Sequence, residues 1–121
     1  MIKLTFALVR LPGLTLEAFQ TYWLETHAPL VATVRDILRI RRYVQLHSAE
    51  PEISVAIRGS RNGPTQYDGV AQLWFDSVDD IAAAATNPEA SDAARLLLED
   101  ERRFIDLERS PLWWGEEKVI F

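Results

Sequence analysis

The chain has 121 residues, of which 48% are hydrophobic and 26% charged, and it has no cysteine. That size suits one domain with a real core, and the missing thiols exclude disulfides, thiolate metal sites and cysteine nucleophiles. The net charge of −5 is unevenly spread, with 8 Lys/Arg against 5 Asp/Glu in residues 1–65 and 5 against 13 in residues 66–121; the acidic total argues against general nucleic-acid binding.

Ile2 to Arg10 predicts a strand. Its apolar run, Leu4 to Val9, is too short to span a membrane and has no small-residue cleavage site after it. A cytoplasmic protein without membrane contact is therefore expected. Pro12-Gly13 marks a turn, and Thr15 is placed to cap a helix with Glu17 in its first turn. That helix should run from about Leu16 to His27, or on to Val34 beyond a kink.

This first helix holds the most informative stretch, Phe-Gln-Thr-Tyr-Trp-Leu-Glu-Thr-His-Ala-Pro-Leu from Phe19 to Leu30. At about 100° per residue, Phe19, Tyr22, Trp23, Thr26 and Leu30 share one side, and His27 lies on the flank, about 40° round from Trp23. Pro29 has no N–H, so the Glu25 carbonyl loses its helical partner and the helix should kink or stop near His27. A stop there would set the imidazole at the negative end of the helix dipole, which favours its charged form. Histidine is the side chain best suited to proton exchange near neutral pH. Spacing alone leaves two readings open: a satisfied histidine at the edge of an aromatic core, or a group that moves protons.

Ile40 to His47 reads as a second strand. The basic cluster Arg35, Arg39, Arg41 and Arg42 before and at its start either attracts a phosphate, lies solvated in a turn or pairs with the acidic half of the chain. Residues 48–66 contain Pro51, Gly59, Gly63 and Pro64 and predict a long, poorly ordered connection with at most one helical turn around Ser54 to Arg58. Asp68-Gly69 forms a turn into a third strand, Gly69 to Phe75. Ser77 and Asp80 resemble a capping box opening a short helix, Val78 to Ala85, and Asp76 joins that cap. Asn87-Pro88 restarts the chain as cap and first helical residue of a longer helix reaching Phe104. Leu112 to Phe121, with Pro111 at its entrance, is the last strand.

The order β–α–β–β–α–β is that of a ferredoxin-like α+β fold, a four-stranded antiparallel sheet with helices on one face. Strands one and three read as apolar on both faces, so the face without helices should also be covered. A second copy of the chain is the natural cover, giving a homodimer of two sheets packed face to face, the dimeric α+β barrel.

Three further segments flank or follow the Phe19–Leu30 stretch: Arg10 to Thr15, Arg42 to His47, and Tyr67 to Ser77. In this order and at these separations the chain resembles the EthD family, from about Ile2 to Phe121, as a single domain over residues 1–121. It departs from the family's pattern at Leu46, where similar proteins often carry a polar residue, and at Gln72, where they often carry an acid. The resemblance implies the dimeric α+β barrel again, and a pocket between helices and sheet near His27.

His27 is thus the candidate catalytic residue, a general acid/base or an anchor for a ligand carbonyl or phenol. Tyr43, Gln45 and His47 share one face of the second strand by its period of two and are candidate ligand contacts, in the pocket or at a dimer interface. Tyr22, Trp23 and Trp74 complete the candidate ligand-binding set, against the alternative that they only fill the core. Trp113 and Trp114 should point to opposite faces of one strand. Two histidines 20 residues apart, without an H-x-x-x-H spacing, do not make a metal site. There is also no Ser–His–Asp spacing and no Gly-rich phosphate loop, so no metal and no cofactor are expected. Two functions are compatible with this set. One is cofactor-free acid/base catalysis of cyclase, dehydratase, isomerase or oxygenase type on a small hydrophobic or aromatic carbonyl or phenol. The other is a non-catalytic accessory protein of a degradative pathway that binds such a molecule.

Overall fold

In the computed structural model, which describes residues 1–121, β1 (Ile2–Leu8) is paired on both sides and forms the middle of the sheet. Its neighbours are β3 (Gly69–Phe75) and β4 (Leu112–Glu116), and β2 (Arg42–His47) pairs outside β3. All pairings are antiparallel and the order is β2-β3-β1-β4. This is the expected ferredoxin-like α+β fold.

Register fixes the two faces. Ile2, Leu4, Phe6 and Leu8 oppose Phe75, Leu73, Ala71 and Gly69, which in turn oppose Tyr43, Gln45 and His47. These residues face the helices. The other face carries Thr5, Ala7, Val70, Val44, Leu46 and Trp113, together with Lys3, Arg42, Gln72 and Trp74. It is therefore less apolar than the sequence suggests, although Leu46 and Trp113 are 55% and 52% exposed there. Trp113 and Trp114 do point to opposite faces, opposite Thr5 and Leu4.

The first helix corrects an expectation. Thr15 caps α1 (Leu16–Tyr22) through its hydroxyl, which accepts the Ala18 N–H at 3.0 Å. The helix then neither stops nor breaks at His27. It widens into a π-turn (Trp23–His27), in which the Ala28 N–H bonds the Trp23 carbonyl, and resumes as α2 (Ala28–Thr33). Pro29 falls in the first turn of α2, where its missing N–H is tolerated. A turn closed five residues back rotates less per residue than an α-turn. Residues four apart therefore stay aligned, and Phe19, Trp23, His27 and Val31 are all buried while Thr26 is exposed. His27 sits at the centre of the buried stripe, not on its flank.

A second difference lies between β2 and β3. Residues 48–66 hold a full eight-residue helix, α3 (Glu52–Gly59), entered from Pro51 with Glu52 in its first turn and Arg58 in its last. Those charges suit the helix dipole at both ends. No residue of α3 is buried. The remaining helices follow the sequence closely: α4 (Val78–Ala82) is capped by Ser77, and α5 (Pro88–Glu101) by Asn87. Asp76 instead binds Arg41, and β4 ends at Glu116, five residues before the chain does.

The core has two halves. An aliphatic half joins Ile2, Val31, Val34, Ile40, Phe75, Ala93 and Leu97. An aromatic half joins Leu8, Phe19, Trp23, Ala71, Phe104 and Ile105. Gly69 is needed at the edge of the aromatic half, because a Cβ there would stand 2.5 Å from the Trp23 ring and 2.9 Å from the Leu46 carbonyl oxygen.

Candidate functional site

A small cavity of about 50 Å³ lies where the two halves of the core meet. It is walled by the helix-facing residues Phe6, Leu8, Ala71 and Leu73, by Trp23 and Val31, and by Leu97 and Ile105. Only His27, Tyr43 and Glu101 bring polar atoms to it.

His27 is 5% exposed and Asp100 3%. The imidazole Nδ1 is 2.7 Å from Asp100 Oδ2. Asp100 Oδ1 accepts two more bonds, from the Tyr22 hydroxyl at 2.6 Å and from Arg103 at 3.0 Å. Burial works to raise the Asp100 carboxyl, but these donors outweigh it and hold it below its ordinary value. Asp100 is therefore a carboxylate at neutral pH and can only accept, so His27 Nδ1 carries the proton. Burial lowers the imidazole against the pull of Asp100, which leaves His27 neutral. No helix end stands beside it to favour the charged form.

That tautomer makes Nε2 the basic nitrogen. Nε2 has no protein partner, and no sealed side-chain nitrogen or oxygen in the molecule lacks one. The Nε2 edge is therefore open, on the side of the ring that lines the cavity. Phe104 packs against the same ring, with centroids 5.0 Å apart. The arrangement is that of an oriented general base: a buried carboxylate fixes tautomer and direction, and the far nitrogen is free to take a proton.

Glu101 comes from the last turn of α5. Burial, and then repulsion from Asp100, push its carboxyl up to about 7. It is a proton carrier near neutrality beside a neutral base.

The three candidates on β2 lie together, on the pocket side and not on the open face. Gln45 Nε2 donates to the Trp23 carbonyl at 3.0 Å and to the Tyr43 hydroxyl at 2.8 Å. Its Oε1 accepts from His47 Nε2 at 2.7 Å, and the His47 ring stacks on Trp23 at 4.6 Å. Burial lowers the His47 imidazole. Tyr43, Gln45 and His47, with Leu24 and Ala28, form a groove of about 340 Å³ along the edge of the sheet. Tyr43 lines both this groove and the inner cavity. Burial raises its hydroxyl above its ordinary value, so it stays protonated.

Two candidates stand elsewhere. Tyr22 touches the site only through Asp100. Trp74 is on the opposite face of the sheet, between Lys3 and Arg42, with its indole N–H donated to Glu117. It is not brought to the cavity, because its place in β3 alternates with Leu73 and Phe75. The arginine cluster pairs with acids of the second half: Arg39 with Asp80 and Arg41 with Asp76, each within 2.7 Å. No group of three His, Cys, Asp or Glu side chains is placed to hold a metal ion.

Sequence reasoning missed Asp100 and Glu101. A signal existed for the first. Ala90, Ala93, Leu97 and Phe104 are buried at steps of three, four and seven, and Asp100 sits within that apolar stripe, where an acid has no place unless something pairs with it.

Comparison with known proteins bears on this geometry. The EthD domain profile matches residues 11–108. A protein of Metarhizium robertsii named conidial pigment biosynthesis dehydratase EthD is 25% identical over 118 residues, 95% of this chain and 81% of that protein. The crystal structure of an EthD family protein from Bacillus halodurans superposes with a TM-score of 0.64 at 19% identity, covering 98% of this chain and 99% of that one. A protein from Bacteroides fragilis, described as dimeric, of unknown function and of ferredoxin-like fold, gives a TM-score of 0.59 at 13% identity over 96% and 95% of the two chains. The structural likenesses concern the fold; the profile match, which spans most of the sequence, shows that the chain belongs to the EthD domain family.

Proposed function

We propose that this protein is a cofactor-free acid/base catalyst acting on a small, largely apolar molecule that carries a carbonyl or phenol. The observation that carries this reading is the buried Asp100–His27 pair, whose free Nε2 edge opens on an apolar cavity. His27 takes a proton from the substrate, and Asp100 stabilises the imidazolium that forms. Tyr43 accepts its bond from Gln45, which leaves its own hydroxyl proton to donate to a substrate oxygen. The cavity of about 50 Å³ holds only the reacting end of such a molecule. The rest occupies the outer groove past Tyr43, whose 340 Å³ lies within the range of small-molecule sites. The name of the Metarhizium robertsii relative supports a dehydratase among the possible reaction types.

The working form is a homodimer built on the open sheet face. The exposed Leu46 and Trp113 on that face support it, as does the dimeric Bacteroides fragilis neighbour. No helix is long and apolar enough to cross a membrane. Sedimentation equilibrium at micromolar concentration should return twice the chain mass, with an interface on the order of 2,000 Å². A stable monomer would refute the dimer.

Hydrogen–deuterium exchange into the α-carbon of benzylacetone tests the base. The wild type should accelerate it, His27→Ala should abolish the acceleration, and Asp100→Asn should reduce it on the order of a hundredfold or more, as the imidazole loses its fixed tautomer. Binding of the ketone without any exchange would favour the accessory role over catalysis.

A further inference from the structure

We propose that Glu101 is a second catalytic residue, the acid that protonates a leaving hydroxyl while His27 removes a proton from the neighbouring carbon. This rests on the reading of His27 as a base. Asp100 and Glu101 are adjacent at the end of α5, yet they do different things. Asp100 is spent on three donors: Tyr22, His27 and Arg103. Glu101 turns into the cavity that His27 lines, and no hydrogen bond or cation offsets its burial. A carboxyl left without a partner in an apolar space holds a proton.

The groups that face Glu101 all push in one direction. His27 from the π-turn is neutral, Tyr43 from β2 is a protonated phenol, and Asp100 beside it is an anion that repels a second charge. The cavity residues of β1 and β3 are Phe6, Leu8, Ala71 and Leu73, all uncharged. A protonated acid and an unprotonated base thus share one small cavity. Their two environments assign the two roles.

That pairing fits a substrate with a hydroxyl on the carbon β to its carbonyl. His27 Nε2 takes the proton from the α-carbon. The electron pair of the broken C–H bond forms the C=C bond. The C–O bond of the hydroxyl breaks, Glu101 gives its proton to the departing oxygen, and water leaves. His27 ends protonated and Glu101 ionised, and one proton passed back through water restores both.

Two probes separate this proposal from the base reading. Benzylacetone has no leaving group and reports only proton removal, by deuterium exchange. Its β-hydroxy derivative loses water to give benzalacetone, read by ultraviolet absorbance. In Glu101→Gln, elimination should fall on the order of a hundredfold while exchange on benzylacetone stays within a few-fold of wild type. The alkaline limb of the wild-type elimination profile, near pH 7, should vanish with it. His27→Ala should lose both reactions. If Glu101→Gln keeps elimination and its alkaline limb, the assignment of Glu101 is wrong and that of His27 stands. If His27→Ala keeps exchange, or the wild type promotes neither reaction, the acid/base reading itself fails. Carbon-13 titration of the glutamate carboxyls in the wild type needs no variant. One should titrate near 7 and disappear in Glu101→Gln, and its absence would overturn the proposal.

Discussion

The two halves of the core handle polarity in opposite ways. The aliphatic half around Val31, Val34, Ile40 and Phe75 is free of buried charge. Its ionic groups stay outside, in a broad cleft of about 630 Å³ where Arg39 and Arg41 are paired with Asp80 and Asp76. The aromatic half around Phe19, Trp23 and Phe104 keeps an imidazole and a carboxylate inside, against a cavity of about 50 Å³. Size therefore points to the wrong place. The wide cleft has its charges satisfied by one another, whereas the narrow cavity holds proton-active groups that nothing in the protein uses up.

Substitutions in each half should sharpen this contrast. The largest effect is expected from Trp23→Ala, which removes a fully buried ring and should destabilise by about 3–5 kcal/mol in denaturant melts. Next is His27→Ala. It strips a charge-assisted bond from a buried carboxylate that retains Tyr22 and Arg103, and should cost about 2–3 kcal/mol. His27→Asn, which keeps a donor for Asp100, should recover part of that stability and none of the activity. Gly69→Ala should cost about 1–3 kcal/mol, since its Cβ must displace the Trp23 ring or the β2 backbone. Arg41→Ala, in the aliphatic half, removes an exposed ion pair and should change stability by less than about 1 kcal/mol. If Arg41→Ala proved as damaging as His27→Ala, the division between the halves would not hold.

The pH dependence of stability should carry opposed contributions from the same cavity. Glu101 is raised from 4.5 to about 7 in the folded protein, so the folded state holds a proton that the unfolded chain releases in between. Its stabilising contribution is full below 4.5 and lost as pH rises through 7. His27 is lowered from 6.5, so the unfolded chain takes up its proton first, and stability falls as pH drops through 6.5. Glu101→Gln should remove the first effect. Relative to wild type it should gain stability between pH 4.5 and 7, by on the order of 3 kcal/mol at most. Urea melts at pH 5 and pH 8 would check the sign.

Much of the frame was legible in the sequence. The bounds of β3 match the expected strand, and Ser77 and Asn87 cap their helices as their positions require. The alternation along β2 correctly gathers Tyr43, Gln45 and His47 on one side. What escaped depends on contacts that no local pattern encodes. The π-turn misphases any count made at 3.6 residues per turn, so His27 was placed on the flank when it lies at the centre. Asp100 meets His27 across 73 residues of chain, and an acid within an acidic helix reads as solvent-facing. Trp74 shows the converse. Its aromatic character suggested a pocket, but one step of strand alternation sends it to the other face.

The π-turn makes the site a matter of chain length. Deleting one residue between Trp23 and His27 would let the helix close into unbroken α geometry without altering any functional group. Everything after the deletion would swing by about 100° relative to Phe19. The imidazole would leave Asp100 while the strands, the sheet order and the rest of the aromatic half remained. A single-codon loss or gain at this point thus offers a route by which a chain of this fold could acquire or discard its chemistry in one step, with no substitution at all.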